Sequence, residues 1–233
     1  FNFGSVIKKS KNEEFNLQLL PILTQTEYTS KIPYQTNNGL MLPLAGIQTN
    51  LSVGFYAKLG ILSIQLYPNL FYGLNQETEG YSNINGVDWG QSQISLSYKA
   101  FTLSMSNQNM WWGPSKNNAL IMSNNAAGFK HISFKSSRPV NVFIGHLEWE
   151  LIGGILENSL YTLHYPYQGY SSRPFSGHVN QDVRYLNGIS ISYQPKWVPG
   201  LFLGINRGVQ MYRQTAYDYN EFLPVFGNLR RSH

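Results

Sequence analysis

The sequence predicts an all-β fold: an antiparallel transmembrane β-barrel of the outer membrane. Three observations predict it. Charged residues make up 12% of the 233 residues, about half the share of an ordinary soluble domain. Period-two alternation of apolar and polar residues recurs along the chain, and its polar partners are Ser, Thr, Gln, Asn and Gly rather than Lys and Glu. Short turns alternate with long connections, the asymmetry of outer-membrane barrels. The chain is not greasy, with a mean hydropathy of -0.27. No window approaches the roughly 18 consecutive apolar residues of a membrane helix.

The elements follow in order. Residues 15–26 read as a strand. In a first hairpin, Leu51, Val53 and Phe55 alternate with Ser52, Gly54 and Tyr56, and Leu62, Ile64 and Leu66 return after a turn at residues 58–61. A second hairpin carries Ile94 and Leu96, then Leu103 and Met105 beyond Lys99 and Ala100. Residues 140–151 and 159–165 read as further strands. A third hairpin carries Ile189 and Ile191, then Leu201 and Leu203. Pairing across each turn places these apolar sets on one face, expected to meet lipid, over a polar interior. The long links are residues 68–90, 107–139 and 165–184. Aromatic residues near the strand ends, among them Tyr67, Tyr98, Phe101, Tyr193 and Trp197, suit the girdles at the two membrane interfaces. The asparagine-rich stretch 117–127 is a poor helix. The whole chain reads as one barrel domain, residues 1–233, with 107–139 a long inward or surface loop.

Several function classes drop out. The net charge is +5, and its clusters, Lys8-Lys9-Ser10-Lys11 and Arg230-Arg231, lie near the ends. A nucleic-acid partner would leave a basic stripe or a motif, and neither is present. Cysteine is absent, which removes disulfides and thiolate chemistry. The five histidines are scattered, so no metal site is expected. Glu148 and Glu150 share a strand face and read as lumen charges opposite Lys or Arg. With no nucleophile elbow and no phosphate loop, no enzyme and no cofactor are expected. The chain begins at Phe1 without a signal peptide and stops on Arg231-Ser232-His233; it is expected to be part of a longer chain and a larger barrel.

The central segment is the most distinctive. Asn109-Met110-Trp111-Trp112-Gly113-Pro114 is followed by Leu120-Ile121-Met122-Ser123-Asn124-Asn125-Ala126, then by Arg138-Pro139, then by a strand with Glu148 and Gly153-Gly154. This run resembles the Wzi-like capsule assembly family, most closely its Bacteroidota-type members. The resemblance implies an outer-membrane β-barrel, larger than this chain. It also implies a non-enzymatic protein that binds capsular polysaccharide and holds it at the cell surface.

The same residues suit a glycan independently. Indole faces stack on sugar C–H faces, while amides and guanidinium forks read hydroxyls and carboxylates. Trp111, Trp112, Asn109, Asn124, Asn125, Lys135 and Arg138 are therefore the candidate glycan-binding residues. Between Asn107 and Arg138 the chain holds Lys116, Lys130, Lys135 and Arg138 and no Asp or Glu, which suggests an acidic glycan. The residues leave a structural reading open, in which the tryptophan pair plugs the barrel. The expected partners are outer-membrane lipid, surface polysaccharide and other outer-membrane proteins. The alternative function is that of an accessory subunit in a larger outer-membrane complex for secretion, motility or nutrient uptake. The tryptophan-rich inward segment argues against an open diffusion pore.

Overall fold

The computed structural model describes residues 5–9, 15–30, 39–41, 45–75, 84–117, 119, 121–156 and 183–212. The strand expected at 159–165 lies outside them. Their strands are β1 (Ser5–Lys9), β2 (Phe15–Leu19), β3 (Leu23–Thr29), β4 (Gly46–Ser52), β5 (Phe55–Leu59), β6 (Leu62–Leu66), β7 (Asn69–Asn75), β8 (Ile84–Asp88), β9 (Gln93–Tyr98), β10 (Phe101–Ser106), β11 (Lys130–Ser136), β12 (Val140–Val142), β13 (Gly145–Leu156), β14 (Arg184–Pro195) and β15 (Leu203–Tyr212). No helix occurs among the described residues.

Hydrogen bonding groups the strands into a sheet in the order β1-β2-β5-β6-β9-β10-β11-β13-β14-β15, with β12 on β13, and a second sheet in the order β3-β4-β7-β8. The second sheet continues the first. β2 runs into β3, β4 into β5, β6 into β7 and β8 into β9, and each pair is broken at one level. Joined across that level, the strands form an up-and-down antiparallel wall. Backbone bonds bridge the break: Leu20 N donates to Gly54 O at 2.9 Å and Gln91 N to Tyr67 O at 3.0 Å. Leu19 faces Phe55 whereas Leu23 faces Ser52, so the first of these spans carries one extra residue at the break. Gln65 faces Gln93 whereas Asn69 faces Asp88, so the span of β8 and β9 carries another. An extra residue is a β-bulge, which bends a wall. Pro68, without an N–H to donate, sits in the same break. The link read from the sequence at 68–90 is therefore mostly strand, β7 and β8. The stretch 130–136, read as part of the long loop, is β11.

The two faces of the wall invert the usual order of a protein. Met105, Ile205, Ile132 and Leu103 are among the exposed apolar side chains, Met105 at 65%. On β9, β10 and β11 the buried side chains are all polar and mostly small, with Ser133 at 2%. Alternation places the residues of each set on one side. Ile64 faces Ile94, Ile94 faces Met105, and Met105 faces Ile132. Leu151 faces Ile189, and Trp149 faces Ile191. All fourteen residues expected to meet lipid lie half-buried or exposed, and none packs against a second sheet. On the other face hydroxyls pair across strands: Ser63 with Ser95 at 2.8 Å, Ser97 with Thr102 at 2.9 Å, and Ser104 with Ser133 at 2.6 Å. Apolar outside and polar inside is the pattern of a barrel sheet in hydrocarbon.

The connections sort by end. The turns 60–61, 99–100, 137–144 and 196–202 lie together, since Ser97 N donates to Ile61 O, Ser137 N to Ala100 O, and Lys196 N to Ile144 O. The long connection 107–129 leaves β10 at the opposite end. Short turns mark the periplasmic side of such a wall and long loops the cell surface. Phe101, Phe134 and Trp149 cluster on the outer face near the turns, with ring centroids 5.7 to 6.1 Å apart. Tyr98 and Trp197 are exposed at the same level, so this end carries an aromatic girdle. At 12 residues each, β13 and β14 exceed the roughly 9–11 needed to cross a bilayer at a tilt.

Candidate functional site

Residues 107–129 leave β10 at the long-loop end and turn back over the polar face. Asn107 N donates to Ser92 O at 3.0 Å, and Asn109 N to Gln91 Oε1 at 3.0 Å. The Asn109 amide also donates to Ala126 O at 3.0 Å, tying the descending limb to the returning one. Trp112 then inserts. It is 5% exposed and packs with Met122 and Ile152, flanked by Met110, Phe129 and Leu186. Ile152 and Leu186 occupy inward positions that a water-filled lumen would give to polar residues; here they form the floor of a small apolar knot. The indole reaches so close to β14 that a Cβ on Gly188 would lie 2.6 Å from its Cη2. Gly188 is the clearance for the ring. Past the ring the chain reverses through Gly113, whose φ of +119° is one that L side chains rarely adopt.

Beneath the loop lies a cavity of about 690 Å³, within the range of small-ligand sites. Trp111 and Trp112 form part of its wall, with Lys135 and Arg138 from the β11 side, Glu148 and Glu150 from β13, and Ser190, Ser192 and Asn206 from β14 and β15. Ser137, Arg138 and Phe202 belong to the short turns, so the cavity lies toward the turn end of the lumen. The Trp111 ring is fixed by its Nε1–H, which donates to Ser115 O at 2.7 Å, and the residue remains 36% exposed. Its neighbour Trp112 is the anchor, and Trp111 is the surface.

Glu150 is the electrostatic hub. Its Oε2 accepts the Trp112 Nε1–H at 2.8 Å, and its Oε1 lies 3.7 Å from Lys135 Nζ. The pairing arises because β11 lies beside β13 in register, with Lys135 opposite Glu150. The positive count along residues 107–138 therefore does not survive folding as a cationic patch. Two carboxylates of β13 enter the same cavity as Lys135 and Arg138, and Lys130 projects from the opposite face of β11. The cavity cations of residues 107–138 meet carboxylates of the neighbouring strand β13, and Glu150 against Lys135 is a lumen charge opposite a lysine, as the alternation of β13 predicts.

The structure gathers four of the seven candidate residues, Trp111, Trp112, Lys135 and Arg138, around one cavity. Asn109 acts on the loop through the two hydrogen bonds above. Asn124 and Asn125 are exposed on the returning limb, where Asn125 N donates to Ser123 Oγ at 3.3 Å, and they do not line the cavity. Sequence reasoning missed Ser190, Ser192, Asn206 and Phe202. The first two were legible as polar inward positions of β14, but only strand neighbours show what they face.

A search of curated proteins and one of solved structures gave no match. The family model described as Capsule assembly protein Wzi matches residues 35–212, most of the 233-residue chain. That span takes in β4 to β15, the inward loop and every residue named around the cavity. With an antiparallel wall that is apolar outside and polar within, the chain belongs to the Wzi capsule assembly family of outer-membrane β-barrel proteins.

Proposed function

We propose that this protein holds surface polysaccharide by non-covalent binding in the lumen cavity. The observation that carries the reading is the half-open indole of Trp111 in one cavity with Arg138, Lys135 and a row of hydroxyl and amide groups. A sugar ring stacks its C–H face on Trp111. Ser190 Oγ donates to Asn206 Oδ1 at 2.7 Å, which leaves the Asn206 amide N–H groups and the Ser192 hydroxyl to donate to sugar hydroxyls and Ser190 Oγ to accept from them. Arg138 binds an acidic substituent as a planar fork. Trp112, buried against Gly188, keeps the loop in place while Trp111 touches ligand. Nothing in this arrangement requires a covalent step or a cofactor.

The test is equilibrium binding of the purified full-length protein, in detergent, to capsular polysaccharide from the same cells. Trp111→Ala is expected to weaken binding by about 1–3 kcal/mol, by analogy with base–aromatic stacking, with the barrel's circular dichroism unchanged. Equal affinity of the variant and the parent would overturn the reading.

A further inference from the structure

The charges in the cavity are not all spent. Glu150 has one oxygen on the Trp112 indole at 2.8 Å and the other 3.7 Å from Lys135. That pair is internally neutral and half-shielded, at 36% and 21% side-chain exposure. Glu148 lies two residues from Glu150, on the same face of β13, and it is exposed. Arg138 is exposed in the turn that precedes β12. Both line the cavity. Neither has a hydrogen-bond or ion-pair partner among the described residues. One free carboxylate and one free guanidinium therefore stand in a chamber that also offers the exposed ring of Trp111.

We infer that the cavity selects a glycan segment bearing both charges, with a protonated amino sugar against Glu148 and a carboxylate or phosphate against Arg138. This rests on the polysaccharide-binding reading and names the class of chain it takes. A purely anionic chain would be attracted by Arg138 and repelled by Glu148, and a purely cationic chain the reverse. Specificity of this kind comes from the repulsive partner as much as from the attractive one. A neutral chain would leave both charges to be desolvated without compensation. A segment with an amine and an acid on neighbouring residues satisfies both at once. A sugar ring stacked on Trp111, in the same cavity, needs no charge.

The experiment uses the full-length protein in detergent and four oligosaccharides of matched length. They are dextran (neutral), hyaluronan (anionic), chitosan (cationic) and N-deacetylated hyaluronan, which alternates a uronate with a free amine. Native capsular polysaccharide is measured alongside. The deacetylated hyaluronan is expected to bind at least tenfold more tightly than the other three. Glu148→Gln is expected to erase that advantage by improving hyaluronan, and Arg138→Gln to erase it by improving chitosan. Hyaluronan or dextran binding as tightly as the doubly charged chain, with Glu148→Gln having no effect on the ranking, would overturn the inference while native polysaccharide binding kept the function. Failure of native polysaccharide and all four oligosaccharides to bind would overturn both.

Discussion

Replacing Trp112 separates the anchor of the inward loop from its binding surface. The side chain is 5% exposed and is one of three buried members of the apolar knot, with Met122 and Ile152. Truncating a buried tryptophan costs about 3–5 kcal/mol. The remaining ties of the loop tip are few: the Trp112 amide donates to Met122 O at a long 3.4 Å, and the Asn109 contacts lie nearer the strand ends. Trp112→Ala is therefore expected to raise the opening equilibrium of residues 107–129 by a factor of about 150, taking about 3 kcal/mol at 1.4 kcal/mol per decade. Trp112→Phe keeps most of the ring against Gly188 but leaves Glu150 Oε2 without its 2.8 Å donor. A bond to a charged group is worth about 1.5–3 kcal/mol, and partial solvent access favours the lower figure, about tenfold in opening. The assay is hydrogen exchange with mass spectrometry on the detergent-solubilised protein, with β9 to β11 as the internal reference. The expected order of loop protection is parent, then Trp112→Phe, then Trp112→Ala, with strand protection unchanged. Unaltered loop exchange in Trp112→Ala, or equal loss in loop and strands, would refute the assignment of Trp112 as a local anchor.

Other consequences follow from the same geometry. Gly188→Leu fills the space that Trp112 occupies, where even a Cβ would lie 2.6 Å from the ring; it is expected to reproduce the loop exchange of Trp112→Ala. Glu150→Gln retains an acceptor for the indole, now uncharged, and loses the half-buried pairing with Lys135, so its cost in denaturant titration is expected to be about 1 kcal/mol. Glu150→Leu removes the acceptor as well and is expected to cost more, about 1–3 kcal/mol. Leu103→Arg places a cation on the outward face, where Leu103 is 50% exposed and lies beside Phe134 of the aromatic girdle, and is expected to lower folding stability in lipid vesicles by about 1 kcal/mol, since such costs fall toward the membrane interfaces. Ser104→Arg, on the lumen face, must instead displace the 2.6 Å hydroxyl pair with Ser133. Its cost is expected to stay the same in thin and thick bilayers, whereas that of Leu103→Arg should change with thickness.

The face each residue takes was legible because alternation is local. Leu96, Leu103 and Met105 declare themselves against Ser95, Ser104 and Ser106 without knowledge of any neighbour. The breaks were not legible in the same way. Tyr67-Pro68 and Gly90-Gln91 look like the ends of strands, yet they are bends in strands that continue, and backbone bonds from adjacent chain segments carry the wall across. β11 escaped because its His131-Ile132-Ser133-Phe134-Lys135 alternation follows directly on the irregular asparagine-rich loop. The tryptophan pair stood out by its residue types, but nothing in Trp111-Trp112 tells which ring turns inward. That depends on Gly188 and Ile152, strands away. The balance of charge was legible in part: Glu148 and Glu150 read as lumen charges opposite Lys or Arg, but the sequence does not say which cation meets Glu150. Lys135 lies 15 positions from Glu150, and the two meet only because β11 and β13 are neighbours with β12 folded aside.

The most direct test of the account is made on cells. With Trp111→Ala at the chromosomal locus, the protein should reach the outer membrane at the parental level, because Trp111 lines the cavity and is not part of the buried knot. Capsular polysaccharide is then quantified in the cell-bound and released fractions. Total polysaccharide is expected to be unchanged while a substantial share moves from the cell surface to the medium. Polysaccharide that stays cell-bound at the parental level, with the variant barrel present in normal amount, would contradict it.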